Sequence, residues 1–394
     1  MKIFIAGAGI GGLTAALCLA KDGHDITILE RADDLTEVGA GLQCGANAVR
    51  VLQYLGLEKD IQRYSEKPEA IEFREYKSGA PLYAVKLGAN YADRYGAAYH
   101  HIHRADLMRV LHRAVEQASN IHISLSSTVE RYLESSDSVQ VILENGESHT
   151  AELLIGCDGL KSTVRSQLLA NVGQDPRFTG NVAWRATVPG SRLPADFMNK
   201  VATNFVGPNK HIVMYYLRDQ QLLNLVGVVE NNQWRDDSWV SKAPWEELAE
   251  DFRDWHPMVT TAINALDKED CYRWALFDHA PLSNWSSSRV TLLGDAAHAT
   301  LPFMASGAAL AIEDARILQR CMALETELER ALKRYQKNRL GRTSKVQNTS
   351  RKFATLYHIK NPWLLRSAFG VLRFIGGKKE DFLPEYDANS IPLK

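Results

Sequence analysis

The chain has no long uninterrupted apolar run, no closely spaced cysteine pair, no low-complexity segment and almost no net charge. Each absence removes a class of protein. A membrane-spanning helix needs about 18 or more apolar residues in a row, and no window supplies them. Cys18, Cys44, Cys157, Cys271 and Cys321 are scattered without a C-x-x-C pair. That argues against structural zinc or a disulfide frame, and for free thiols in a reducing cytoplasm. Lys and Arg number 46 against 47 Asp and Glu, a formal net charge of −1. No global field would draw in a nucleic acid or an anionic membrane. No internal repeat points to a solenoid.

What remains is an ordinary globular composition. The 394 residues are 45% hydrophobic and 24% charged, long enough for two domains. The N-terminus, MKIFIAGAGIGGLTAALCLAKDG, superficially resembles a secretory signal. Its glycine punctuation and the second strand-like run that follows predict a folded βαβ start instead. Residues 2–6 read as a strand, Gly11 to Lys21 as a helix and Asp25 to Glu30 as a second strand. Further strands are expected at 71–76, 121–125, 139–143 and 153–156, and helices at 46–55, 104–117 and 162–170. From Asn181 the character changes. NVAWRATVP, KVATNFVG, KHIVMYYLRD and QLLNLVGVVE are β-rich runs separated by turn residues. They predict an antiparallel sheet. Residues 290–293 return to a buried strand, and 307 to about 373 is mostly helical. The tail FLPEYDANSIPLK reads as extended.

Gly7, Gly9 and Gly12 form a G-x-G-x-x-G loop between a strand and a helix. Gly7 makes the tight turn, Gly9 lets the backbone approach a pyrophosphate, and Gly12 permits close helix–strand packing. The helix N-terminus favours the diphosphate. Glu30, 18 residues beyond Gly12, is placed to bind a ribose hydroxyl pair, with Arg31 beside it. A second unusual stretch, LLGDAAHATLPFMASGAALAIEDA at 292–315, ends a buried strand on a carboxylate and then delays its helix by a dozen residues. Something polar is expected between that strand end and the helix start.

GCDGLKSTVR (156–165) and GDAAHATLP (294–302) resemble the Asp-Gly and Gly-Asp signatures of the class A FAD-dependent aromatic hydroxylases. VGAGLQCGANAV, HRADL and FTGNVAWRATVP are similar to the branch of salicylate hydroxylase, 3-hydroxybenzoate 6-hydroxylase and 6-hydroxynicotinate 3-monooxygenase. The match runs over nearly the whole chain. The resemblance implies an α/β fold: a Rossmann-like FAD-binding domain, an inserted antiparallel β-sheet substrate domain and C-terminal helices. The expected division assigns 1–70, 97–178 and 270–360 to FAD. It gives 71–96 and 179–269 to substrate, and 361–394 to a C-terminal helix and tail. The implied activity is NAD(P)H-driven hydroxylation of a small phenolic or hydroxypyridine carboxylate through a flavin C4a-hydroperoxide. The same chemistry on a larger quinolone- or polyketide-type ring, and a flavin-binding sensor without turnover, are the alternatives. The implied setting is cytoplasmic, with a homodimer as the candidate assembly.

Residue roles follow from the same resemblance. Asp295 bonds ribityl hydroxyls, Pro302 lies by the flavin face where oxygen reacts, and the helix start at Gly307 and Ala308 faces the flavin N1–C2=O edge. Ser306 replaces the Gln usual before that glycine. Asp158 and Arg165 are expected near the cofactor phosphates, Arg104 near FAD, and Val129 against the adenine through its backbone. Asp158 and Arg165 could otherwise be a helix cap and a surface arginine, and Arg104 an ion-pair partner of Asp106. For the catalytic groups, period-2 alternation puts His211 and Tyr215 on one strand face, roughly 13 Å apart. They could flank one aromatic ring, as the pair does in the resembling enzymes, or be ordinary sheet residues. Tyr216 and Arg218 fall on the other face. His298 reads as a packing or hydrogen-bonding residue rather than a base. Arg185 is left to the framework. His100, His101 and His103 read as a solvated or interface loop without metal-ligand spacing.

Overall fold

The computed structural model describes residues 1–35, 40–170, 176–231, 240–379 and 381–394. Val38 and Gly39, which open one of the resembling segments, lie outside them. Lys2–Ala6 is the central strand of a five-stranded parallel sheet. Its order is Val290–Leu292, Leu153–Gly156, Lys2–Ala6, Asp25–Leu29 and Ile121–Ser124. Ile3 and Ile5 point to one face and Phe4 to the other, and all three are buried. Such two-sided burial is what a parallel sheet covered by helices requires. Helices Ile10–Ala20, Arg104–Glu116 and Gly307–Leu324 share its hydrophobic cluster.

The second sheet has eight strands. Its centre is Arg177–Pro189, Leu222–Glu230, Lys210–Leu217 and Ala202–Gly207, the four β-rich runs of the sequence. Pairing is antiparallel except between Ala202–Gly207 and Ala70–Glu75. On Lys210–Leu217, Ile212, Met214 and Tyr216 enter one core with Trp184, Phe205 and Phe252. His211, Val213 and Tyr215 face the other way, as alternation requires. That other face meets Phe303, Tyr357 and Phe369 from the C-terminal half.

Three readings need correction. The stretch before Gly307 is not uninterrupted loop: Asp295–His298 forms one helical turn and Pro302–Met304 a 3-10 turn. The histidine triplet is not a solvated loop. His100–His103 is a buried strand between Gly41–Cys44 and Ser65–Glu66. The tail is not extended: it turns back onto the helices, with Ala388 fully buried and the Tyr386 ring 3.9 Å from the Arg342 guanidinium carbon. Among the described residues no helix is long and apolar enough to cross a membrane, and no group of His, Cys, Asp and Glu could hold a metal ion.

Candidate active site

The glycine turn is built as its spacing predicts. Gly7 holds φ +101°, a conformation open to glycine at little cost. A Cβ on Gly12 would lie 2.0 Å from the Gly7 carbonyl oxygen, whereas one on Gly9 would meet nothing within 4 Å. So Gly12 lets the helix seat on the turn, and Gly9 leaves the outer side open to a ligand. The helix Ile10–Ala20 has no side-chain cap, and its first amides have no intrahelical acceptor. The Glu30 carboxylate accepts from the amides of Ala8, at 2.7 Å, and Ala32, at 3.0 Å. It is therefore held beside the turn, with exposed Arg31 next to it.

The turn near residue 300 is its neighbour. A Cβ on Gly11 would come within 2.8 Å of Leu293 and 3.3 Å of Ala311. Arg165, buried rather than at the surface, donates to the carbonyls of Ala296 and Leu160 and ties the Asp-Gly segment to it. Asp158 accepts from the Val164 amide through Oδ2, while its buried Oδ1 has no partner. Burial raises its pKa against the pull of the Ser162 and backbone hydrogen bonds. Val129 is buried at the start of its strand. Asp106 pairs with Arg218 and Arg109, so its carboxylate serves Arg218, the residue expected on the framework face.

Asp295 is exposed in the middle of an otherwise buried segment. Its Oδ1 lies 3.7 Å from where a Gly307 Cβ would sit, so the carboxylate stands beside a helix start. That helix, Gly307–Leu324, also lacks a side-chain cap. The Ser306 hydroxyl donates instead to the Met304 carbonyl. The amides of Gly307, Ala308 and Ala309 are left without intrahelical acceptors. Two uncapped helix starts, an outward carboxylate and an orphaned buried Asp158 oxygen are the donor and acceptor set that a long phosphorylated, hydroxylated cofactor would satisfy. The residues fit FAD.

A buried ion network holds this second turn. Asp314 accepts from the Gly294 amide at 3.0 Å, from His298 Nε2 at 2.5 Å and from Arg339 Nε at 2.5 Å. Glu313 meets Arg342, Arg339 and Asn47. Burial would raise the Asp314 pKa, but His298 and Arg339 outweigh it and bring it to about 2. Glu313 is likewise lowered against burial by Arg342 and Arg339. His298 is thus a hydrogen-bonding residue of the turn, as the sequence reading preferred.

Between the eight-stranded sheet and the 302–306 turn lies a cavity of about 490 Å³. Phe73, Asn204 and His211 line it from the sheet, and Pro302, Phe303 and Ser306 from the turn. His211 is 3% exposed, with its ring 5.2 Å from those of Phe303 and Tyr357. Burial, then nearby His358, pushes its pKa well below the ordinary value, so it is neutral at pH 7. The structure does not bring Tyr215 to the cavity wall. Tyr215 packs against the His101 ring, 4.3 Å away, and stands where a Cβ on Gly41 would meet its hydroxyl. Burial raises its pKa, so the hydroxyl stays protonated. His101 is buried with an unpartnered Nε2, and burial, then His100, lowers its pKa to about 3. Sequence reasoning missed His101 and His358. Neither carries a local signal, because each gains its setting from contacts remote in the chain.

Comparisons with known proteins point to the same cofactor. A family model described as "FAD binding domain" matches residues 1–350. The chain is 35% identical over 359 residues to a 3-amino-4-hydroxybenzoate 2-monooxygenase of Streptomyces platensis, covering 91% of this chain and 89% of that one. It is 34% identical to a 3-hydroxybenzoate 6-hydroxylase of Klebsiella oxytoca, again over 91% and 89%. A crystal structure of Klebsiella pneumoniae HpxO complexed with FAD and uric acid superposes with TM-score 0.85 at 26% identity, covering 98% of this chain and 96% of that chain.

Proposed function

The chain belongs to the FAD binding domain family, and from that premise we propose that it is an NAD(P)H-driven monooxygenase hydroxylating a small phenolic or hydroxypyridine carboxylate. The observation that carries this reading is the cavity: its wall joins a neutral buried histidine on the sheet to the turn at the uncapped helix start. The relatives' aromatic acids support the substrate class. Neither a larger ring nor a sensor without turnover is favoured by them. The free thiols and the nicotinamide donor support a cytoplasmic setting.

Bound FAD would supply the redox chemistry, taking two electrons from NAD(P)H and passing them to oxygen so that one oxygen atom enters the ring. The chain's residues do the rest. Gly7, Gly9 and Gly12 shape the turn that would hold the diphosphate, and the amides opening Ile10–Ala20 would donate to it. Glu30 takes the ribose hydroxyls, with Arg31 and Arg104 as cations beside the cofactor and Val129 backing the adenine. Asp158 sits by the phosphates. Asp295 would accept hydroxyls of the bound cofactor, Pro302 would lie beside it, and the Gly307 and Ala308 amides would donate to it and stabilise the negative charge that it gains on reduction. His211 takes the proton of the substrate hydroxyl. Tyr215, its hydroxyl kept protonated at neutral pH by burial, packs under His101 on the same strand face and backs the site without lining the cavity.

Substrate-stimulated NADH oxidation, with oxygen uptake and product identification across aromatic acids, tests the reading. If no phenolic or hydroxypyridine acid raises the rate, it fails. Asp295→Ala should purify with little FAD, read from the ratio of flavin to protein absorbance. A stoichiometrically yellow variant would remove the ribityl assignment.

A further inference from the structure

The strongest unexplained feature is what stands behind His211. Its Nδ1 lies 2.9 Å from Nε2 of His358, and Nδ1 of His358 lies 3.1 Å from Oε1 of Glu230. The roles in this row follow from its end. Glu230 is an acceptor, so His358 donates through Nδ1. A neutral His358 then accepts at Nε2, and His211 donates through Nδ1. That leaves Nε2 of His211 as the acceptor available to a ring in the cavity. The three groups point one way, from the cavity outward. His211 and His358 are 3% and 5% exposed, whereas the Glu230 side chain is 45% exposed.

The far end opens into a different place. Glu230 and His358 line a second, open pocket with Asn181 and Asn209 and do not share the first cavity's lining with His211. His358 sits at the C-terminal end of the long helix Leu328–Tyr357, and Glu230 closes the strand Leu222–Glu230. The charged neighbours of this pocket are Arg177, Arg351, Asp278 and Lys360. Arg177 and Arg351 both pair with Asp278, which leaves Glu230 as the carboxylate facing His358.

We propose that His358 and Glu230 form with His211 a proton line between the substrate cavity and solvent. It rests on the reading of His211 as the base and extends it. The transfer balances without any redox partner. The substrate O–H bond breaks as His211 Nε2 gains a proton. The His211 Nδ1 proton moves to His358 Nε2, the His358 Nδ1 proton moves to Glu230, and Glu230 releases it to water. The product oxygen later takes its proton back from His211 Nε2, and the line refills from water through Glu230. That return restores both starting tautomers. The physical need is plain: a buried imidazole that is a poor host for positive charge cannot store the proton and must hand it on.

His358 and Glu230 are thus positioning and relay residues that never touch substrate. The test uses the FAD-loaded full chain, with a hydroxybenzoate that the wild type hydroxylates and a ring-fluorinated analogue already ionised at the assay pH. Glu230→Gln changes an exposed side chain, which guards against simple misfolding, and His358→Gln removes the middle link. On the un-ionised phenol at pH 7, both should lower kcat by about tenfold or more, with KM changed less than twofold. On the ionised analogue both should return to the wild-type rate, because no proton need leave. Wild-type kcat for both variants on the un-ionised phenol overturns the line, as does a loss that the ionised analogue fails to restore. His211→Ala run beside them separates the two claims. If it too is indifferent to substrate ionisation, the base reading falls; if it responds and the others do not, only the line falls.

Discussion

Asp314→Asn should destabilise the protein by about 3–5 kcal/mol, the usual cost of removing one partner from a buried charge group. Asp314 and Arg339 are both fully buried, and the carboxylate accepts from three donors at once. An amide would keep the shape but leave Arg339 and His298 facing a weak dipole. Glu313 would remain with two guanidiniums and no second carboxylate nearby. Urea unfolding of both proteins at pH 7 and equal FAD concentration measures the difference. The acid limb gives an independent check. The folded pKa of about 2 lies below an ordinary unfolded Asp value near 3.9. The associated stabilisation is therefore complete above about pH 5 and disappears as pH falls through 4 toward 2, on the order of 2–3 kcal/mol. The Asn variant should lack that part of the acid transition. A variant as stable as wild type at pH 7, with the same acid limb, would show that the network contributes nothing net.

His211→Ala should retain FAD and remain reducible by NAD(P)H, yet lose hydroxylated product by about 10²–10⁴-fold. A phenol of pKa about 10 is only about one part in a thousand ionised at pH 7, a deficit of about 4 kcal/mol. A positioned neutral base removes much of it. The pH dependence separates this from loss of packing. Burial and His358 keep wild-type His211 unprotonated across pH 6–8, so its rate should vary little there. The variant depends on phenolate drawn from solution, and its rate should rise about tenfold per pH unit below the phenol pKa. Product yield equal to wild type at pH 7 would dismiss His211 as the base.

The parts of this site that the sequence made legible are those whose geometry is local. Gly7 to Gly12 can be read because turn, helix start and strand lie within one short segment. Asp295 and Gly307 can be read because a carboxylate and an uncapped helix flank one turn. The face of His211 follows from the two-residue period of a strand. What stayed hidden is long-range. His358 reaches His211 across 147 positions, and Arg339 reaches Asp314 from the next helix. The His100–His103 strand is short and polar, and it is buried by pairing with Gly41–Cys44 and Ser65–Glu66 and by packing on Tyr215. The docked tail shows no periodicity at all. Tyr215 shows the limit of face arguments: it shares a face with His211, but four residues along a strand carry it beyond the cavity rim and under His101.

The strand Val290–Leu292 lies beside Leu153–Gly156, which in turn lies beside Lys2–Ala6. A nascent chain must be translated through all the intervening residues before its first-made sheet can acquire this outer strand. Until then Leu153, Leu154 and Ile155 present an open edge, and parallel pairing at such separation is slow because a long loop must close first. Refolding from denaturant should therefore pass through an aggregation-prone species, relieved when holdase chaperones are present or protein concentration is low.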